Sequence, residues 1–159
     1  MALVYGTSTA LTITAASLAS AGNRSSAAVT TGTSANLADV LLSVNCLTTS
    51  TAPSGNKQIV VYAYGSEDGT NYLGNSGTTD NADGTDKALT AIGSPTALLF
   101  VGTIPLNQGA VAVTARGVWS LARLWGGVMP RKWGIVLHND AGTALGATVS
   151  ASYTEVSFS

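Results

Sequence analysis

The stretch "KQIVVYAYG", residues 57–65, decides the class of fold. Along an extended chain Ile59, Val61 and Ala63 point one way and Val60, Tyr62 and Tyr64 the other, because successive side chains of a strand alternate. β-Branched and aromatic residues suit a pleated, half-buried surface. The run therefore predicts a strand.

The same period of two recurs on both sides of it. In "TALTITA" Leu11 and Ile13 alternate with Thr12 and Thr14, and "DVLLSVNCL" sets Val40, Leu42, Val44 and Cys46 on one face. "SANLADVLL" also has the form of a capped helix start, but the Val and Thr that follow favour a strand. "TALLFVGTIPL", "GAVAVT", "KWGIVLHN" and "GATVSASYTEVSFS" continue the series. Turn signals separate the runs: "PSGN" at 53–56, "EDGTN" at 67–71, "NADGTD" at 81–86, "NQG" at 107–109 and "NDAG" at 139–142. Short strands at this spacing predict an all-β, single-domain antiparallel sandwich. One short helical turn is expected within "VWSLARLW" at 118–125, stopped by Gly126 and Gly127, although a strand also fits there. Residues 1–24 read as a first strand or an arm, and 25–159 as the sandwich proper with a long exposed loop at 65–87.

At 159 residues the chain has the length of one domain. Its surface is unusual, since only 9% of residues are charged while 45% are hydrophobic, against about 25% charged in ordinary domains. A surface of Ser, Thr, Asn and Gly carries little repulsion to keep copies apart and suits contact with other protein. The net charge of −1 argues against coating nucleic acid, and no apolar run approaches a membrane span. The first 22 residues lack the basic start of a signal peptide, and Thr alternates through them, so a strand is expected there.

Five of the eight acidic residues lie in 65–86: Glu67, Asp68, Asp80, Asp83 and Asp86. A calcium loop needs oxygen ligands at alternate positions. Counted from Asp80, the third and fifth positions are Ala82 and Gly84, so the pattern fails. Asp and Asn before Gly make tight turns, and the loop reads as an exposed excursion with no metal site. Catalytic parts are scarce. His138 is the single histidine, and Cys46 is a lone cysteine in an apolar strand, where an inert thiol is expected. Glu67, Asp68 and Glu155 have nothing to bring two of them together as a glycosidase pair. No nucleophile elbow, P-loop or dinucleotide fingerprint occurs. No enzyme and no cofactor is expected.

"ARGVWSLARLWGGVMPRKWGIVLHN" gathers all three Trp and four of the seven bases. The Trp residues could anchor a core flanked by cations. Alternatively the stretch is a docking surface, since Trp and Arg are enriched at binding hot spots. Stacking on nucleic acid is a third reading. The candidate partner-binding residues are Arg24, Arg116, Trp119, Arg123, Trp125, Arg131 and Lys132, with Trp133 assigned to the core. A sugar-binding platform of Tyr62, Tyr64, Tyr72 and Trp125 is a further alternative.

Two stretches carry a resemblance. "VVYAYGSEDGTNY" runs from an alternating strand into Ser-x-Asp-Gly-Thr-Asn and an aromatic. "MPRKWGIVLHNDAGTAL", followed by "ATVSASYTEV", has the form Pro-x-x-Trp, strand, Asn-x-x-Gly-x-x-Leu, strand. Together, over 57–72 and 129–156, they resemble the small β-sandwich decoration or cement proteins of tailed-bacteriophage capsids, which are often jelly rolls. The resemblance implies a non-enzymatic virion protein, made in the host cytoplasm and placed on the capsid exterior. Its partners would be the major capsid protein and copies of itself, as dimers or trimers, with no membrane and no direct nucleic-acid contact. Tail, collar and baseplate components share this style. The resemblance transfers no individual functional residue.

Overall fold

The computed structural model describes residues 2–32, 36–48, 51–72, 82–90, 92, 98–106 and 114–159. The described chain is all-β. Its strands are β1 (Leu3–Tyr5), β2 (Thr9–Leu11), β3 (Asn23–Ser25), β4 (Val29–Thr30), β5 (Leu37–Thr48), β6 (Gln58–Ser66), β7 (Lys87–Leu89), β8 (Leu99–Pro105), β9 (Thr114–Ser120), β10 (Lys132–Asp140) and β11 (Leu145–Phe158). The expected "GAVAVT" strand and the "NQG" turn lie outside the described residues, apart from Thr114.

Two antiparallel sheets form a sandwich. Sheet I has the order β1-β11-β5-β9, with β2 continuing β1 along the same side of β11. Sheet II has the order β7-β3-β10-β6-β8, with β4 continuing β3 along β10. Counting β1 with β2 and β3 with β4 as single interrupted strands, and setting aside the extra edge strand β7, leaves eight strands. Their sheet orders are then first-eighth-third-sixth and second-seventh-fourth-fifth. That is the wrapped order of a jelly roll. Residues 3–11 thus lie in sheet I and 23–30 in sheet II, with residue 24 inside β3.

The alternation read in β5 and β6 sets the core. Val40, Leu42, Val44 and Cys46 from sheet I meet Ile59, Val61 and Ala63 from sheet II, all without exposed surface. Trp133, Ile135 and Leu137 of β10 fill the middle. The Trp133 ring meets Tyr153 of β11 edge-on, with centroids 5.3 Å apart.

The other face of β6 is also covered. Tyr64, Val136, Leu89 and Ala82 form a second small cluster on the outer side of sheet II, with Tyr62 and Tyr72 packed against it. Tyr64 donates to the Ser26 carbonyl at 2.6 Å, and a side chain at Gly134 would collide with its ring. Of the 65–87 excursion, expected as an exposed loop, residues 73–81 lie outside the described residues, and the rest is exposed only in part. Glu67, Asp68, Thr70 and Asn71 are exposed, but Gly65 and Ser66 are buried and Ala82 returns onto the sheet.

Asp86 fastens that return. Its carboxylate accepts from Arg24 Nε at 2.7 Å and from Thr14 N and Oγ1 at 3.1 and 2.6 Å. Burial opposes the charged form, but the bonds from Arg24 and Thr14 outweigh it and hold the carboxyl below the usual range. A carboxyl depressed in the folded state adds stability above its unfolded pKa of about 3.9 and loses it as pH falls through the folded value. Asp86→Asn is expected to lower stability by about 1–2 kcal/mol at neutral pH, after allowance for solvent screening. It should also flatten the acid limb of a urea-midpoint curve below about pH 4. An unchanged midpoint at pH 7 would mean that the latch contributes nothing.

The helical turn is shorter than expected. Val118, Trp119 and Ser120 belong to β9, where Val118 and Trp119 alternate across the sheet, and only Ala122–Trp125 forms a single 3-10 turn. Gly126, at φ 70°, ends it in the left-handed conformation.

Candidate functional site

The motifs that carry the resemblance are corners of the fold. In Ser66-x-Asp68-Gly69-Thr70-Asn71, Asp68 Oδ1 accepts from Ser66 Oγ at 3.0 Å and from the N–H groups of Thr70 and Asn71 at 2.8 and 2.7 Å. Asn71 N–H, then Thr70 N–H, then the Asn71 side chain hold that carboxyl well below the usual range. Gly69 supplies the positive φ the turn needs, 80°. At the other corner Asn139 is fully buried. Its Nδ2 reaches the carbonyls of Leu18, Ala19 and Thr143 at 2.9–3.1 Å, and its Oδ1 accepts from Ala141 N. The asparagine thereby clasps the segment that crosses from sheet I to sheet II. A side chain at Gly142 would strike Ser54. Both motifs build turns.

The seven candidate contact residues fall in four places. Arg24 lies on β3, tied to Asp86 as above, with its Nη2 also on the Asp86 carbonyl at 3.2 Å. Arg116 stands on the outer face of sheet I beside exposed Val118, with Nε bonded to Ser43 Oγ at 2.9 Å. Trp119 and Arg123 gather where the edge strands β8 and β9 meet. The indole of Trp119 lies inward across Gly117 of its own strand and Gly102 of β8, and Arg123 bonds the carbonyls of Ser120 and Val101 at 3.1 and 2.9 Å. Trp125, Arg131 and Lys132 surround the start of β10. Trp125 packs against the core with Pro130 over Gly65, and Arg131 leans on the Asp68 turn at 3.4 Å. The structure thus brings Trp119 together with Arg123, and Arg131 with Lys132. Arg24 stands apart.

Four of the seven bases, Arg116, Arg123, Arg131 and Lys132, lie on or around β9 and the start of β10. Among the described residues the salt bridges join Arg24 to Asp86 and Lys87 to Asp83, and no carboxylate pairs with Arg116, Arg123, Arg131 or Lys132. Arg116 and Arg123 are held through Nε, which orients their guanidinium groups at the cost of little further ordering on binding. Phe100 of β8, Val118 of β9 and Val128, between the 3-10 turn and β10, are exposed apolar side chains. Cys46 is fully buried, and burial pushes its thiol up to about 12. Among the described residues no three His, Cys, Asp or Glu side chains converge. Glu155 accepts from the Gly32 N–H at 2.8 Å. Asp80 lies outside the described residues.

No protein-family model matches the chain, and no curated protein matches it.

Two corrections to the sequence reading concern aromatic and apolar residues. Tyr64 has no exposed surface and its ring meets Tyr72 edge-on, so Tyr62, Tyr64, Tyr72 and Trp125 do not form one sugar-binding platform. The residues that sequence reasoning did not single out are Leu3, Val4, Tyr5 and Phe158, four of the large apolar side chains left exposed. A signal was available. "ALVY" is a strand-forming run in a segment without a single charge before Arg24.

Proposed function

We propose that the protein is a non-enzymatic structural component of a phage virion, which decorates the capsid exterior and stabilises it by binding assembled major capsid protein. The observation that carries this reading is the combination, on a charge-poor jelly roll, of exposed apolar side chains at the sheet edges with arginines that lack carboxylate partners among the described residues. Jelly rolls occur in virus shells and in lectins alike, so the surface and not the fold must choose. The burial of Tyr64 counts against a sugar platform of Tyr62, Tyr64, Tyr72 and Trp125. Pre-bonded Arg116, on the same exposed face of β9 as Val118, suits a protein surface bearing carboxylates.

The mechanism is mass action. A ligand that binds assembled shell, and not free subunits, stabilises the assembled state by about 2.7 kcal/mol per site at a hundredfold excess over its Kd. Heads lacking this protein are expected to burst at a lower temperature, and adding the purified chain back should restore the original value. A double variant, Arg116→Glu with Arg123→Glu, should fail to restore it while folding normally. Heads that burst at the same temperature with and without the protein would overturn the proposal.

A further inference from the structure

The outer edge of β1 is uncovered among the described residues and apolar. In its ladder with β11, Leu3 faces Phe158, Val4 faces Ser157 and Tyr5 faces Val156. Gly6 N bonds the Glu155 carbonyl at 2.8 Å and Ser159 N bonds the Ala2 carbonyl at 3.0 Å. Backbone groups of an antiparallel strand alternate in direction, so Ala2, Val4 and Gly6 face β11 while Leu3 and Tyr5 turn their N–H and C=O outward. Among the described residues no strand covers that side. The side chains there are exposed and apolar: Leu3 54%, Val4 46%, Tyr5 63% and, on the neighbouring strand, Phe158 41%. Proteins ordinarily guard such an edge with Lys, Pro or an inward charge. This strand has none of them, and the first charged residue of the chain is Arg24.

We infer that two copies of the chain join by antiparallel pairing of β1 with β1 across a twofold axis at Val4. The register follows from the free groups. With Val4 opposite Val4 of the second copy, Leu3 of each chain faces Tyr5 of the other. The outward groups of those two residues then make four hydrogen bonds, Leu3 N–H to Tyr5 carbonyl and Tyr5 N–H to Leu3 carbonyl, each twice. Cross-strand neighbours share a face, so Phe158, Leu3 and the other copy's Tyr5 form one apolar stripe that the twofold repeats. An isologous contact sets like against like, which a charged edge would resist and this neutral one does not. The two copies of sheet I become one continuous sheet. This inference stands apart from the virion reading and is tested on the purified chain.

Sedimentation equilibrium of the full chain should give a mass twice the 15.9 kDa of one copy. Tyr5→Pro removes an outward N–H without disturbing the ladder to β11, as proline on an edge strand allows. It should weaken the dimer at least tenfold with an unchanged far-ultraviolet spectrum, and Leu3→Lys should do the same by placing a charge on the edge. Register is tested by cross-linking. Val4→Cys sets two thiols at a non-hydrogen-bonded pair about 4.5 Å apart at Cα, within disulfide reach. It should oxidise to a covalent dimer, whereas Leu3→Cys alone, on a diagonal of about 7–8 Å, should cross-link far less. A monomer at every concentration would overturn the inference. So would a dimer that both edge variants leave intact, or a Leu3→Cys chain that cross-links as readily as Val4→Cys.

Discussion

Trp133→Ala is expected to destabilise the protein by about 3–5 kcal/mol, the usual cost of emptying a buried Trp site, and to lower its melting temperature by roughly 6–20 °C. Trp133 is fully buried on β10, the middle strand of sheet II, and its ring spans toward Tyr153 of sheet I. The indole is therefore a pillar between the sheets, and Ala leaves a void that rigid strands on both sides cannot close. Among the described residues its Nε1 has no hydrogen-bond partner. An unpaired buried donor costs about 1–3 kcal/mol, so Trp133→Phe gives some of the lost packing back by removing that donor and should melt much nearer the parent than the Ala variant. Thermal denaturation of the three chains checks both statements. An Ala variant within about 1 kcal/mol of the parent would mean that the sandwich does not rest on this side chain.

The second large effect is expected at Gly117. A methyl group there would overlap the Trp119 ring, which lies across Gly117 on β9 and Gly102 on β8. These are the edge strands of opposite sheets, so the indole closes the flank of the sandwich where no backbone ladder can. Gly117→Ala should cost about 1–3 kcal/mol by forcing the ring off its seat, although Ala is otherwise no worse than Gly in a strand. In a Trp119→Ala background the same change should cost well under 1 kcal/mol, a coupling of the size found between touching residues. Urea unfolding of the four chains completes the cycle. Additive effects would show that the ring does not constrain Gly117.

The parts of the fold visible in the sequence are those set by local chemistry. Alternation placed Val40, Leu42, Val44 and Cys46 on one buried face, and Ile59, Val61 and Ala63 on another. Asp-Gly and Asn-x-x-Gly marked corners because positive φ and short polar side chains are local needs. Strand order was not legible from periodicity, since it depends on which distant strands meet. The jelly-roll expectation came from resemblance, and the pairing of β11 with both β1 and β5 bears it out. Tyr64 misled for a related reason. Its position on the second face of β6 suggested solvent, but Ala82 and Leu89, some twenty residues on, return to cover it. At the candidate surface the Trp and Arg types were visible, whereas their allocation was not. Whether Arg24 is a free cation depends on Asp86, which the sequence places 62 positions away. The apolar edge at Leu3–Tyr5 was visible only as an absence of charge.

The central claim is best tested by counting copies of this chain per purified particle, by quantitative mass spectrometry against the most abundant shell protein. A capsid decoration protein is present in copies on the order of hundreds, in a simple ratio to the shell subunit, because it follows the shell's symmetry. That is the predicted result. A count of about six or twelve would place the chain in a ring of the tail or neck and contradict capsid decoration. Its absence from particles would contradict the virion reading altogether.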